Sequence, residues 1–482
     1  MGTIRAPAAE DKMGSTPDTA MQLMIGWATA DITPAKPTQL QGQFHERISQ
    51  YVRDPLTVTA LALEGVGEDG DTEQAIMVSI DVADVPWVVL EELRTQVGAH
   101  LPGFDTGKLF LNSTHTHTSL LLMEDVYFAP PPPGVMTPAE NRALLVRQAT
   151  DAAVRAWKTR KPGGVSWALG HAAVGFCRRL VYEDGSAVMY GSSDTPRFRA
   201  VEGIQDHSVE ILFCWDEADH LTGVVANVAC PSQVAEVQYY ISADFWAAVR
   251  AELRKRFHED LFVYPMTGAA GDQSPRDLVR RGRGEPNMRD ESGLEEMGRR
   301  IANAVEYAYH TAQSDVHREV VFVHHAEDLD LPMRKATRAE MEDARKLYDK
   351  LAPQQPDPSS REAMQLRRAK TTMERFEQQG EDPRYSYDLH VIRLGDIAIA
   401  TNPFELFLDY GLRMKAQSKA TQTFVVQLAG DIGPNYLPTT KAVAGGGYGA
   451  MVIDNKVGPE GGEILVDRTV ELINGMWGDE AK

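Results

Sequence analysis

Leu109-Phe110-Leu111-Asn112-Ser113-Thr114-His115-Thr116-His117-Thr118-Ser119 is the stretch from which the chain is best read. Three apolar residues make a short buried strand, and the polar residues after them stop it. The strand therefore runs directly into a loop that carries two histidines. In extended backbone, positions i and i+2 face one side, which places the His115 and His117 imidazoles side by side. Asn112, Ser113, Thr114, Thr116, Thr118 and Ser119 surround the pair as a polar collar able to orient ring nitrogens. A pattern this short also fits two satisfied structural histidines, so its meaning depends on the rest of the chain.

Upstream, residues 23–28, 58–63 and 75–80 read as strands, with a Gly/Asp turn cluster between Gly65 and Asp71. A helix is expected over 88–99. Downstream, a second helix spans 138–160, acidic and amide-bearing early and basic late. Residues 164–230 are mainly strands, clearest at 212–215 and 224–229. Helices follow over 243–257 and 293–311. Asp388–Leu394 and Ile397–Thr401 form two strands joined through Gly395-Asp396. The pattern predicts an α/β fold of mixed β-sheets covered by helices, with the active site on strand-end loops. Residues 335–380 interrupt it. They are strongly charged, helical in composition and split by Pro353-Gln354-Gln355-Pro356-Asp357-Pro358. They read as an inserted helical hairpin standing in solvent. Residues 1–21 lack periodicity and read as a flexible leader; 22–482 form one catalytic domain.

The formal charge is 49 − 69 = −20 over 482 residues. Nucleic acid is excluded as a partner, because phosphate binding needs clustered Lys and Arg. Attraction to an anionic membrane is excluded on the same ground. No segment approaches the ~18 apolar residues of a membrane span. Cys177, Cys214 and Cys230 cannot build a disulfide framework. With no apolar leader in the sequence, a cytoplasmic location is expected. The expected partner is a small-molecule substrate, without stable membrane association, and a homo-oligomer remains an open assembly state.

Several other segments could carry chemistry. Asp206-His207 lies at a loop-to-strand transition. Gly268-Ala269-Ala270-Gly271-Asp272-Gln273-Ser274-Pro275 follows a strand, and its small residues let backbone approach a ligand closely. Asn402-Pro403-Phe404-Glu405 puts a carboxylate at a strand end. Gly433-Pro434-Asn435-Tyr436 and Gly445-Gly446-Gly447-Tyr448 put tyrosines in rigid or glycine-rich loops. Dinucleotide and phosphate-loop signatures are absent, as is HExxH.

Taken in order, these segments resemble the neutral/alkaline ceramidase family, as a short bacterial type. The resemblance rests on Ala30-Asp31-Ile32-Thr33-Pro34, Arg53-Asp54-Pro55-Leu56, Val78-Ser79-Ile80-Asp81, Thr114-His115-Thr116-His117, Asp206-His207, Gly271-Asp272-Gln273-Ser274-Pro275, Pro403-Phe404-Glu405, and Tyr436-Leu437-Pro438-Thr439-Thr440 followed by Tyr448. It implies a zinc-dependent hydrolase that cleaves a C–N amide bond with a metal-activated water. His115, His207, Glu405 and Tyr436 would hold one Zn²⁺, an N/O set that zinc accepts. His117 and Tyr448 would act on the substrate carbonyl and oxyanion. Ser274 would orient substrate or water, and Arg178 would contact substrate.

The sequence also departs from that pattern. Thr118-Ser119 replaces the family's Ser-Gly, Cys177 replaces an Asn, and Cys230-Pro231-Ser232 stands where many relatives carry a His-containing segment. The secretory leader and C-terminal β-sandwich of true ceramidases have no counterpart in the sequence. Ceramide itself is thus not the expected substrate; a small soluble amide is. The rival readings are an ester, lactone or sugar-derivative hydrolase with the same site, and a non-catalytic metal-binding homologue.

Overall fold

The computed structural model describes residues 19–124, 126, 131–357, 360–430 and 435–478. The expected leader lies outside them except for its last three residues, and the first strand begins at Met21.

A nine-stranded sheet carries the fold. Its strands run Phe262–Thr267, Leu221–Val228, Ser208–Asp216, Lys161–His171, Met21–Asp31, Thr57–Val66, Thr72–Ile80 and Leu109–Ser113, with Glu319–Val320 added beside Met21. Neighbours are antiparallel except at the two ends. There Leu221–Val228 pairs parallel with Phe262–Thr267, and Thr72–Ile80 pairs parallel with Leu109–Ser113. A parallel pair needs a crossover, and a helix supplies each: Phe245–Arg256 in one and Trp87–His100 in the other.

A second, four-stranded sheet runs Phe322–Pro332, Arg384–Leu394, Ile397–Thr401, Gln422–Val426, and its last pair is also parallel. The two sheets face each other across one apolar core that includes Leu61, Phe110, Leu212, Tyr264, Ile392 and Phe424. Helices Trp87–His100 and Pro138–Thr159 cover one half of the large sheet's other face. Helices Phe245–Arg256 and Glu291–Ala312 cover the other half. Leu408–Gln417 and Pro459–Gly475 cover the small sheet. The result is a helix–sheet–sheet–helix sandwich, the α/β class of mixed sheets expected.

The inserted hairpin is also present, as antiparallel helices Arg338–Leu351 and Arg361–Gln378. It does not stand free in solvent as expected. Arg375 donates to the Val452 and Asn455 carbonyls at 2.5 and 2.8 Å, Arg334 to the Ala450 carbonyl at 2.8 Å, and Arg368 pairs with buried Asp454 at 2.5 Å. Arg368 and Arg375 of the hairpin, with Arg334 just before it, are spent on the loop that follows Tyr448.

Candidate active site

Parallel pairing puts several strand ends on one edge, and each is followed by a segment singled out in the sequence. Ser113 leads to the histidine pair, Thr267 to Gly268–Ser274, Thr401 to Glu405, and Val426 to the loop before Tyr436. Hydrogen bonds across these ends lock them together. The Tyr264 hydroxyl donates to Asn112 Oδ1 at 2.9 Å, Thr267 Oγ1 to the Ser113 carbonyl at 3.2 Å, and Asn227 Nδ2 to the Val425 carbonyl at 2.9 Å. Ligand sites of open sheets form where strand ends meet in this way.

The histidine pair is not laid out along a pleat. His115 has φ 63°, a left-handed conformation that costs energy in a non-glycine residue and recurs at functional sites. This kink brings the rings together edge to face, with centroids 4.8 Å apart and Nε2 to Nε2 at 3.3 Å. The collar acts on backbone rather than on the rings. Thr116 and Thr118 donate to the Ser242 carbonyl at 2.8 and 2.9 Å, and Ser113 donates to the Ala83 carbonyl at 3.1 Å. Ala83 also orients His115. Its carbonyl lies 2.6 Å from Nδ1 and only accepts, so Nδ1 carries a proton and Nε2 faces the site.

Glu405 arrives opposite, with Oε2 3.6 Å from His115 Nε2. Its short strand Glu405–Leu406 pairs parallel with Tyr436–Leu437, which fixes the carboxylate beside the Tyr436 phenol. Gly433 and Pro434 of that motif lie outside the described residues. Gly271 explains the close packing here. A Cβ at this position would sit 2.2 Å from the Glu405 carbonyl oxygen. The small residues of that segment thus admit protein backbone, not a ligand as expected.

Arg178 enters from the side and is buried. Its Nη2 lies 2.8 Å from the Gly271 carbonyl, 3.3 Å from Tyr436 Oη and 3.5 Å from Glu405 Oε2. Tyr448 follows, its hydroxyl 3.4 Å from that of Tyr436. Ser274 is fully buried beneath, its Oγ accepting from the Arg276 amide at 3.2 Å.

The charges sort themselves. Burial opposes a charged His115, but the Glu405 hydrogen bond and charge, helped by Ala83, raise its pKa above the ordinary value. Burial likewise opposes a charged Glu405, but His115, Arg178 and Tyr436 hold its pKa below the usual value. The two shifts agree on an ion pair. His117 moves the other way: burial, then the positive charges of His115, Arg47, Arg178 and Arg276, push it well below the ordinary value. His117 is therefore neutral. Burial pushes both Tyr436 and Tyr448 up, so both phenols keep their protons.

His207 does not join this cluster. Its ring rests on Phe176 at 5.9 Å and opens into a separate hollow of about 290 Å³ that shares no residue with the cluster. Asp206 is committed to Lys415 at 2.7 Å. Of the four expected zinc ligands, His115, Glu405 and Tyr436 come together, and Arg178 brings a cation to the last two. Among the described residues no three His, Cys, Asp or Glu side chains form a metal-holding group. The expected ligand set does not fit.

Sequence reasoning missed two residues here. Gln233 has Nε2 2.9 Å from His117 Nε2 and Oε1 3.2 Å from Arg178 Nη1. Glu236 lies 3.8 Å from His117 Nδ1 and is ion-paired with Arg276. The signal available was the Cys230-Pro231-Ser232 departure: Gln233 is the next residue.

The fold and the cluster together define an α/β protein with a buried His–Glu–Arg–Tyr centre at its strand ends. No family model matches the chain, and no curated protein matches it. Solved structures do. Neutral ceramidase from Pseudomonas aeruginosa shares 16% identity at a TM-score of 0.66, over 94% of this chain and 75% of that one. A ceramidase complexed with C2 matches at 14% identity, with the same TM-score and coverage. The ceramidase resemblance in the sequence is matched by the fold. Among the described residues, no helix is long and apolar enough to cross a membrane.

Proposed function

We propose that the chain is a hydrolase of amide bonds in small substrates, acting at the His115–His117–Glu405–Arg178–Tyr436–Tyr448 cluster. One observation carries the reading: the His117 imidazole sits 3.3 Å from that of His115, which faces the Glu405 carboxylate at 3.6 Å, beside the buried Arg178 guanidinium and the Tyr436 and Tyr448 phenols. His117 is the group able to take a proton from water at neutral pH. Arg178, Tyr436 and Tyr448 are donors for an oxyanion. The His115–Glu405 pair fixes the geometry, and Ser274 supports the Arg276 backbone beneath it. The fold shared with ceramidases favours an amide over an ester or lactone, and a working acid–base set favours catalysis over mere binding.

Zinc is the finer expectation. His207 counts against it as a ligand. In its favour, the His115–His117 and His115–Glu405 separations of 3.3 and 3.6 Å approach the ~3.3 Å edge of a tetrahedron with ~2.0–2.1 Å bonds. Elemental analysis decides: we expect well under one zinc per chain. A full equivalent, lost in His117→Ala but kept in His207→Ala, would reinstate a metal held by the histidine pair.

The activity is tested on short-chain N-acyl p-nitroanilides and matched p-nitrophenyl esters. Turnover of the anilides is expected, falling roughly 10²–10³-fold in His117→Ala. Turnover of esters alone would move the reading to an esterase. No turnover of either, or full activity in His117→Ala, would overturn it.

A further inference from the structure

Tyr448 has two sides. Its hydroxyl belongs to the cluster, while its ring meets Phe44 edge-on at 5.4 Å and lines a hollow of about 540 Å³. That volume is in the range of small-molecule pockets. The opposite wall is the inserted hairpin. Met364, from helix Arg361–Gln378, faces Phe44 and Met451 across the space. Phe44 and Met451 are 56% and 47% exposed, which is costly for large apolar side chains unless something covers them. Methionines suit a surface that adapts to the shape of a ligand.

Two arginines reach the hollow, and they differ. Arg368 is neutralised by Asp454 and stacks its guanidinium over Tyr448 at 5.8 Å. Arg361 lies at the rim, exposed, with no ion pair or hydrogen bond among the described residues. It occupies the first turn of its helix, where the dipole disfavours a cation. Helix stability therefore does not account for it, whereas an anion at that end of the hollow would satisfy both Arg361 and the helix.

We propose that this hollow binds the non-reacting limb of the substrate, an apolar chain or ring ending in a carboxylate or similar anion, and that the inserted hairpin sets this specificity. The proposal rests on the hydrolase reading, since it takes the cluster below Tyr448 as the place where the amide is cut. A limb seated between Phe44, Met364 and Met451 lies next to Tyr448, so its attached carbonyl falls at the cluster. Its anionic end then pairs with Arg361.

A matched series tests it: the N-acetyl, N-hexanoyl and N-(5-carboxypentanoyl) p-nitroanilides. The carboxypentanoyl substrate should show a KM about tenfold below that of the hexanoyl substrate, and the hexanoyl a lower KM than the acetyl. Arg361→Gln should bring the carboxypentanoyl-to-hexanoyl ratio to near one. Met364→Trp, which fills the hollow, should raise the KM of both long substrates relative to the acetyl. Thermal midpoints of the variants report folding. Equal KM values across the series, or an acid preference that survives Arg361→Gln, would overturn the proposal. Calorimetry with adipic acid monoanilide, whose binding needs no turnover, separates the two readings. Binding that weakens about tenfold in Arg361→Gln supports the limb site even if no anilide is cut, whereas absence of binding overturns it even if the acetyl substrate is hydrolysed.

Discussion

Two histidines outside the candidate site should make the protein acid-labile, by an amount that follows from their hydrogen bonds. His324 and His390 sit where the two sheets meet, against Phe110 of the strand that leads to His115 and His117. Arg94 Nη2 lies 3.3 Å from His390 Nε2, His390 Nδ1 3.0 Å from His324 Nε2, and His324 Nδ1 3.0 Å from the Gln74 carbonyl. The chain has one consistent proton order. Arg94 donates to His390, His390 to His324, and His324 to the carbonyl. Every ring nitrogen is satisfied only when both rings are neutral. An added proton on His390 would face a guanidinium, and one on His324 would face an N–H. Burial, then the positive neighbours, accordingly push both pKa values well below the ordinary value.

The sign follows from linkage. A depressed histidine pKa means that the unfolded chain takes up protons that the folded one refuses. The stabilisation is complete above the unfolded pKa of ~6.5 and drains away as pH falls toward the folded values. Two such groups give a slope of about 2.7 kcal/mol per pH unit in that window. The assay is urea unfolding between pH 7.5 and 5, comparing wild type with His324→Leu/His390→Leu. The double variant starts less stable, because Arg94 and the Gln74 carbonyl each lose a partner, at roughly 1–3 kcal/mol apiece. Its stability should nonetheless fall less steeply with acid, by that same 2.7 kcal/mol per unit. An unchanged slope would refute the reasoning. So would nitrogen NMR showing either ring protonated at pH 6.5.

Three further outcomes are expected. Gly42 has φ +102° and a Cβ there would sit 2.3 Å from His117 Cγ, so Gly42→Ala should displace the ring by about 1 Å and cut kcat roughly 10²-fold, read by steady-state kinetics; wild-type kcat would show that His117 needs no exact seat. Gln233→Glu places a carboxylate beside His117 and should raise its pKa. With the neutral ring as the proposed base, the acid limb of the pH–rate profile should move to higher pH; an unmoved limb would remove His117 as the base. Asp454→Ala takes the partner from Arg368 and the acceptor from the Gly449 amide at 3.0 Å, at a cost of roughly 1–3 kcal/mol, and limited proteolysis within residues 335–380 should speed up.

How much of this was legible depended on where each residue stands relative to a strand. The α/β class and the main strands and helices could be read because alternation and apolar runs report burial directly. His115, Glu405, Tyr436 and Tyr448, which the fold brings together, were singled out because each lies at or just beyond the end of such an element. His207 also lies next to a strand, Ser208–Asp216, and on the same sheet edge, since Val209 pairs with Val228. Its strand is two places in from the Phe262–Thr267 end of the sheet, however, and its ring packs on Phe176 instead. Adjacency to a strand names an edge, not a direction, and strand order is not written in local sequence. Gln233 and Glu236 were illegible for a related reason. They lie in irregular chain between Val228 and Phe245, where no periodicity indicates which side chain turns inward.

The hairpin shows the same limit from the side of charge. Arg334, Arg368 and Arg375 look like solvated surface when counted as composition, because composition records residue type and not partner. In the fold their guanidiniums end on Asp454 and on the carbonyls of Ala450, Val452 and Asn455. An unmet buried carbonyl costs about as much as a lost hydrogen bond. The arginines donate to those carbonyls, and Arg368 also lays its guanidinium over the Tyr448 ring at 5.8 Å. An insertion that contributes no residue to the candidate site thereby contacts its outermost phenol. It follows that sequence change in this hairpin should alter turnover as well as stability, which a freely solvated arm would not do.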